Sequence, residues 1–177
     1  SRRRQRQMCI RDRYKNKFKE NYLDVGIAEQ NMMGIATGLS TLGYNVFTTT
    51  FAPFQSMRCL EQIKVNQGYM KKKVTMVGIA SGVVLGTLGY THCCIEDLSI
   101  MQSIPGLTIL SPCDGSEVVK SAFAAAECKG PVYIRLTGSS NSKVVNIEDY
   151  DFTIGQPIEL TKGSDAVIFA TGSIVAN

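Results

Sequence analysis

Two polar side chains in this sequence have the type and position needed for general acid–base chemistry. Glu29 opens a predicted helix within the stretch DVGIAEQN, and His92, the only histidine, follows the glycine-rich segment Gly78–Gly89. A carboxylate or an imidazole can move a proton near neutral pH when its surroundings adjust its pKa. Each also has a plain structural interpretation: Glu29 as a favourable charge at a helix N-terminus, and His92 as an exposed or hydrogen-bonded side chain.

Two aromatic residues follow a predicted strand in the stretch TTFAPF. Phe51 and Phe54 could belong to the hydrophobic core, which is the default interpretation, or could form a platform for a flat ligand. The pattern alone leaves both possibilities open.

The cysteines predict reduced thiols in an intracellular protein. Five remain when Cys9 of the basic N-terminal tail is set aside, and they have no regular spacing. The adjacent pair Cys93–Cys94 beside His92 is a weak metal motif, because neighbouring residues rarely point at one ion. We therefore expect no metal site, and we expect small buried side chains at Cys59, Cys93, Cys94, Cys113 and Cys128.

The elements that must position these residues alternate between helix and strand. This alternation predicts an α/β fold with a doubly wound, mostly parallel sheet and helices on both faces. Ligands bind such sheets at the carboxyl ends of the strands, which here are the loops after Thr50, Ala80 and Leu136. The predicted helices are Glu29–Leu42, Pro53–Met70, Glu96–Ile104 and Asp114–Cys128, and the predicted strands are Tyr44–Thr50, Val74–Ala80, Leu107–Leu110 and Val132–Leu136.

Local signals refine three of these elements. Gly43 is placed to end the first helix, and Asp114 with Glu117 three residues later predicts a capping box at the last one. In the helix Pro53–Met70, the inward-facing residues are predicted to be Met57, Leu60, Ile63 and Val65.

The last forty residues predict a linker and the start of another domain. Residues 138–164 lack apolar periodicity and predict a linker with a possible hairpin. Residues 165–171 predict a buried strand, so we interpret residues 165–177 as the first strand of a second domain.

The basic charge of the chain is confined to its N-terminus. The net charge is +4, but the first thirteen residues hold six of the 19 basic and one of the 15 acidic residues, which leaves 13 basic and 14 acidic residues and a net charge of −1. Back-translation of residues 3–13 gives DNA resembling a sequencing-library adapter. We therefore predict that residues 1–13 are an artefact, which removes the argument for a nucleic-acid partner. No apolar run is long enough to span a bilayer, and we expect a cytoplasmic protein with no membrane partner.

Three motifs together resemble the pyrimidine-binding domain of the transketolase family, which uses thiamine diphosphate. They are DVGIAEQNMMGIATGLS, TTFAPF and GTLGYTHCCIEDL, followed by IPGLTILSP. The resemblance runs from about Tyr22 to Leu136 in both order and spacing. Within the family, the sequence is similar to stand-alone transketolase C-terminal subunits. It implies a pyrimidine-type domain over residues 14–137 that lacks an N-terminal strand and helix, and a transketolase C-terminal domain beginning at residue 165. The fold would then be truncated at both ends.

The resemblance also implies roles for five residues. Glu29 would hydrogen-bond a ring nitrogen of the aminopyrimidine, Phe54 would stack on that ring, and Phe51 would shape the pocket beside it. His92 would face the substrate hydroxyls and the reacting carbonyl. Arg135 would bind either a substrate phosphate or an acidic neighbour.

Two questions remain open within the resemblance. Glu96 and Asp97 open the next helix and could either cap it or contribute to a site at a dimer interface. Leu88 stands where transketolases carry an aspartate that contacts a sugar hydroxyl, so the sequence leaves the sugar donor undetermined.

The other half of the cofactor site has no counterpart in this sequence. The family holds the diphosphate and its Mg²⁺ with a GDG motif on a separate domain, and no GDG occurs here. The implied partner is a diphosphate-binding N-terminal transketolase subunit, in a hetero-oligomer that transfers a two-carbon ketol unit between sugars or sugar phosphates. The alternatives are a condensation like that of 1-deoxyxylulose-phosphate synthase, the β subunit of a 2-oxo-acid dehydrogenase, and a regulatory or interaction module without catalysis.

Overall fold

Four parallel strands form one sheet at the centre of the described residues. The structure is a computed structural model that describes residues 12–138, 143–145 and 149–176. The strand order is β1-β2-β4-β3, and every pairing is parallel. The strands are β1 (Phe47–Phe51), β2 (Thr75–Ile79), β3 (Thr108–Leu110) and β4 (Val132–Arg135).

The helices connect these strands in sequence order. The α-helices are α1 (Glu29–Thr41), α2 (Ala52–Gln55), α3 (Leu60–Ile63), α4 (Asp97–Gln102) and α5 (Gly115–Glu127). Shorter elements are a π-helical segment at Lys64–Tyr69 and 3₁₀ turns at Lys19–Asn21, Gly86–Leu88 and Gly172–Ala176, and residues 12–17 are also helical.

Helices cover both faces of the sheet, which confirms the predicted fold class. Alternate side chains of β4 point to opposite faces, as the period of a strand requires. Tyr133 lies on one face in a core with Met33 of α1, Ile63 of α3 and Met101 of α4. Val132 and Ile134 lie on the other face with Ala125 of α5 and Leu110 of β3.

The predicted helix Pro53–Met70 is wrong as a single element. It divides into α2, a turn at residues 56–59, α3 and the π-helical segment. The hydroxyl of Ser56 donates to the Ala52 carbonyl at 2.7 Å, a local bond that bends or ends helices. Ile63 is buried as expected, but Met57, which lies in the turn, and Val65, which lies in the π-helical segment, are 45% and 40% exposed.

The ends of the two long helices follow their sequence signals. Gly43 has a φ of +89° just after α1, a conformation that glycine adopts without strain. At α5, the Asp114 carboxylate accepts from the Glu117 backbone N–H at 2.9 Å. The Glu117 carboxylate accepts from the Cys113 N–H at 2.6 Å, one residue earlier than in a standard capping box.

The C-terminal part of the chain differs from its prediction. Residues 139–142 and 146–148 of the predicted linker lie outside the described residues, and no strand or hairpin occurs in its described part. The strand predicted at 165–171 is not formed, and Val167, Ile168 and Phe169 are at least 80% exposed. A strand is stabilised by pairing with a neighbour, and no described strand pairs with this segment. The domain boundary itself remains a prediction.

Candidate active site

Glu29 is held at the first position of α1, directly after the N-cap residue Ala28. The residue is only 8% exposed. A helix N-terminus carries partial positive charge and unpaired N–H groups, so it favours a carboxylate at this place. The fold therefore presents one nearly buried acidic group at a helix N-terminus.

Three flat side chains meet where β1 ends. Phe51 is the last residue of β1, and Phe54 follows in α2, which begins with a proline in its first turn. Their ring centroids lie 6.1 Å apart, and the His92 ring lies 6.0 Å from Phe51 and 5.6 Å from Phe54, all close to edge-to-face. The structure thus brings His92, from a distant loop, against the predicted site residues Phe51 and Phe54 at the end of β1 and the start of α2.

The loop that carries His92 is fastened at its base. Gly82 and Cys94 exchange two backbone hydrogen bonds, at 2.6 Å and 2.8 Å, and Gly82 has a φ of +70° that favours glycine. Within the loop, the Thr91 hydroxyl lies 2.9 Å from Nδ1 of His92, close enough for a hydrogen bond. This bond orients the imidazole beside the two phenylalanines.

Arg58 joins Glu29 to this aromatic cluster, and its role was not predicted from the sequence. Its Nη1 donates to Oε2 of Glu29 at 2.7 Å. Its guanidinium carbon lies 4.0 Å from the centroid of the Phe54 ring, and its carbonyl accepts from the Gln30 side chain at 3.1 Å. The contact between Arg58 and Phe54 is compatible with the predicted helix, because residues four positions apart share one face of a helix. The bond between Arg58 and Glu29 joins residues 29 positions apart and has no local sequence signal.

Arg135 has an acidic neighbour, which was one of its two predicted partners. Its Nε donates to both carboxylate oxygens of Asp97, at 3.1 Å and 2.9 Å. The Tyr133 hydroxyl donates to the same carboxylate at 3.0 Å. Asp97 is completely buried, and no side-chain cap is formed at the start of α4, so its contacts are not those of a capping residue. A role at a dimer interface remains a prediction. Burial, with the adjacent Asp97 charge, raises the pKa of Tyr133.

The adjoining Glu96 side chain has a local contact only. Its carboxylate accepts from the backbone N–H of Ile95 at 3.0 Å, and Glu96 itself is the N-cap residue of α4. Glu96 thus takes no part in the ion pair of Arg135 with the buried Asp97, which ties β4 to the start of α4.

The buried thiols around the site are poor metal ligands. Burial raises the pKa of Cys59 to about 11, and the nearby Glu29 charge adds to this effect. Burial also raises the pKa of Cys94, whose sulfur lies 3.7 Å from the Ser56 hydroxyl. Metal binding needs the thiolate, which a raised pKa disfavours. Among the described residues, no cluster of three or more His, Cys, Asp or Glu side chains could hold a metal ion.

Comparison with known proteins identifies the family. The sequence profile described as transketolase, pyrimidine binding domain, matches residues 5–142, well over half of the chain. The chain belongs to the transketolase family. The matched span includes Glu29, the aromatic cluster and Arg135, so the resemblance drawn from the motifs is confirmed at the level of the family.

Several transketolase relatives are similar over most of this chain. A 6-deoxy-6-sulfo-D-fructose transketolase subunit of Clostridium sp. (strain MSTE9) is 37% identical over 93% of this chain and 51% of its own length. An apulose-4-phosphate transketolase subunit of Phocaeicola vulgatus is 34% identical over 87% of this chain and 49% of its own length. A solved split-gene transketolase, described as an inactive beta4 tetramer, matches with a TM-score of 0.75 and 37% identity, over 85% of this chain and 48% of its own.

This transketolase-family chain spans about half the length of these relatives. Its four-stranded sheet and flanking helices are the part shared with the split-gene structure. In the described part of the chain, no helix is both long enough and apolar enough to cross a membrane.

Proposed function

We propose that this chain supplies the pyrimidine half of the active site in a thiamine-diphosphate-dependent enzyme of the transketolase type. The enzyme transfers a two-carbon ketol unit between sugars or sugar phosphates. The diphosphate and its Mg²⁺ are held by a partner, a diphosphate-binding transketolase subunit. The single observation that carries this proposal is the position of Glu29, nearly buried at the start of α1 and linked through Arg58 to the Phe54 ring.

The described residues fit an aminopyrimidine ring. Phe54 offers an aromatic face, and Glu29 offers a carboxylate oriented by the N-terminus of a helix. The guanidinium of Arg58, which is flat, cationic and rich in N–H donors, already makes contact with both groups. A ring with the same shape and donors could make the same two contacts.

The chain's own residues would bind and polarise the cofactor. When bound, thiamine diphosphate supplies the carbon nucleophile and the electron sink for cleaving and forming carbon–carbon bonds. Glu29 would accept a hydrogen bond from the ring and hold a proton at the ring nitrogen. Phe54 would fix the plane of the ring, with Phe51 packed against its edge. This division of roles needs no covalent chemistry from the chain.

His92 would act on the substrate side of the same site. Its ring contacts Phe51 and Phe54, and its Nδ1 is engaged with Thr91, which leaves Nε2 to meet a ligand. An imidazole can donate to or accept from a sugar hydroxyl, depending on its tautomer. The arrangement of Thr91 and His92 favours transketolase over the β subunit of a 2-oxo-acid dehydrogenase. The presence of both Glu29 and His92, two side chains suited to acid–base chemistry, argues against a purely regulatory module.

Exposed apolar side chains next to the site support a partner subunit. Ile27, Val83, Tyr90 and Ile95 are each at least 67% exposed. Each lies within three residues of Glu29, His92 or the Gly82–Cys94 bridge. Exposed apolar residues grouped around a polar site are typical of surfaces that are buried in a complex. The names of the relatives as transketolase subunits add support for a two-chain enzyme.

The proposal is tested with this subunit assembled with a diphosphate-binding transketolase subunit. Ketol transfer from a ketose donor to an aldose acceptor is measured for the wild type, for Glu29→Ala and for the control Glu61→Ala, an exposed acid on α3. Loss of the acid–base group should lower kcat by about 10² to 10⁴-fold, whereas the control should keep the wild-type rate. An undiminished rate for Glu29→Ala would remove the catalytic assignment.

A further inference from the structure

Arg58 makes the two contacts that the proposed function assigns to the aminopyrimidine ring. Its Nη1 donates to Oε2 of Glu29 at 2.7 Å, and its guanidinium carbon lies 4.0 Å from the centroid of the Phe54 ring. A guanidinium group is planar and delocalised, and it donates N–H groups to a carboxylate while its face stacks on an aromatic ring. In shape and in donors it resembles a protonated heterocycle.

We propose that Arg58 is an internal placeholder for the cofactor ring, which must displace it before the site is loaded. This inference rests on the proposed function, because it takes the Glu29 carboxylate and the Phe54 face as the ring's partners. Both groups are engaged by one side chain in the same conformation, so ring and guanidinium compete for them. Loading then includes an exchange of Arg58 for the ring.

The position of Arg58 allows this exchange. It lies on the turn at residues 56–59 rather than within a helix, and its side chain is 42% exposed. The contact between Arg58 and Glu29 joins a half-exposed side chain to one that is only 10% exposed. The long side chain can therefore move into solvent without unpacking the core, while the carboxylate stays where it is.

The placeholder also has a function when no cofactor is bound. A nearly buried carboxylate without a partner is costly, because it has lost its hydration. Arg58 supplies the missing positive charge and shields the Phe54 face from water. The subunit would thereby stay folded and soluble before assembly, at the expense of cofactor affinity. When only a fraction of the molecules is open, the apparent dissociation constant rises in inverse proportion to that fraction.

The test uses this subunit assembled with its diphosphate-binding partner and measures thiamine diphosphate binding in the presence of Mg²⁺. Equilibrium dialysis gives the dissociation constant, and stopped-flow mixing gives the association rate, so neither readout depends on turnover. The variants are Arg58→Ala, Arg58→Lys and the control Lys64→Ala. Lys64 is exposed on the π-helical segment and matches the change in charge.

The exchange predicts tighter and faster binding when the placeholder is removed. A half-exposed ion pair and a cation–π contact each contribute modestly, so Arg58→Ala should lower the dissociation constant by about five- to tenfold and raise the association rate. Arg58→Lys should show a smaller gain, because an ammonium can pair with Glu29 but cannot stack as a plane. If Arg58→Ala fails to fold, the dissociation constant of Arg58→Lys alone still tests the exchange. The control Lys64→Ala should bind the cofactor like the wild type.

Equal or weaker binding by both Arg58 variants would overturn the placeholder, since Arg58 would then hold Glu29 in place for the ring. Glu29→Ala in the same titration separates this result from a failure of the proposed function. Loss of cofactor binding in Glu29→Ala supports the proposed function even if the placeholder role of Arg58 is contradicted. Unchanged binding in Glu29→Ala, or no binding by the wild type, would contradict both.

Discussion

The Glu29 carboxylate is the residue around which the proposed site is built. Its burial, its place at the start of α1 and its bond to Arg58 all favour a partner with N–H donors. The family motif predicted this residue together with Phe51, Phe54 and His92, because each stands at a fixed place in a motif. Arg58 was not predicted, because it belongs to none of these motifs and its bond to Glu29 joins residues 29 positions apart.

The close packing of Gly78 against Tyr133 gives a prediction for a single residue. A Cβ at position 78 would lie 2.8 Å from Cε2 of Tyr133, whose ring is fully buried and whose hydroxyl is bound to Asp97. Gly78→Ala should therefore lower the free energy of unfolding by about 1–3 kcal/mol. Urea denaturation measures this. The control Gly86→Ala, where a Cβ meets nothing within 4 Å, should stay within about 0.5 kcal/mol of the wild type.

The thiol of Cys59 gives a prediction that depends on pH. Its pKa is raised from an ordinary 9.0 to about 11, chiefly by burial, so at pH 8 only about one thiol in a thousand is ionised in the folded state. Burial disfavours the thiolate in the folded state, so the neutral thiol favours folding. The contribution of Cys59 to the free energy of unfolding is fully present below pH 9 and is lost as the pH rises through about 11.

Alkylation with iodoacetamide at pH 8, read by peptide mass spectrometry, tests this. The partly exposed Cys93 and Cys128 should react first, and Cys59 should react at least about tenfold more slowly in the folded chain. Equal rates for Cys59 and Cys93 under native conditions would contradict the buried position of Cys59. As the control, Cys59 and Cys93 should be alkylated at equal rates in denaturant, where neither thiol is buried.

At the scale of elements, helices and strands with a strong local pattern were predictable. The helix α1 and the buried strand β2 appear where their apolar patterns indicated. The order of the strands was not predictable from local pattern, because it depends on contacts between distant segments. The pair of Asp97 and Arg135, which are 38 positions apart, is such a contact. The strand predicted at 165–171 is not formed, which agrees with the general need of an apolar strand for a pairing neighbour.

The N-cap of α5 gives a prediction for an element. The Asp114 carboxylate accepts from the Glu117 N–H at 2.9 Å with one oxygen and from the Val145 N–H at 2.8 Å with the other. Asp114→Ala should cost about 1–2 kcal/mol in the free energy of unfolding, measured by urea denaturation. The control Asp151→Ala replaces an exposed aspartate and should cost less than about 0.5 kcal/mol. An equal effect of both substitutions would exclude a capping role.

At the scale of the whole molecule, the proposed partner is a protein chain. The prediction that residues 1–13 are an artefact would leave the rest of the chain with a net charge of −1, which gives no electrostatic attraction for a polyanion. The apolar side chains around the candidate site, including Ile27 and Tyr90, are instead open to solvent. The proposed function assigns the aminopyrimidine half of the site to this chain and the diphosphate half to a second chain or domain.

The central claim is that this chain holds half of a cofactor site. Calorimetric titration of thiamine diphosphate with Mg²⁺ tests it most directly, on this chain alone, on the diphosphate-binding subunit alone and on the assembled pair. The account predicts negligible heat for this chain alone and micromolar binding or better for the pair, weakened by Glu29→Ala. Micromolar binding to this chain alone, or binding to the pair that is unchanged by Glu29→Ala, would contradict it.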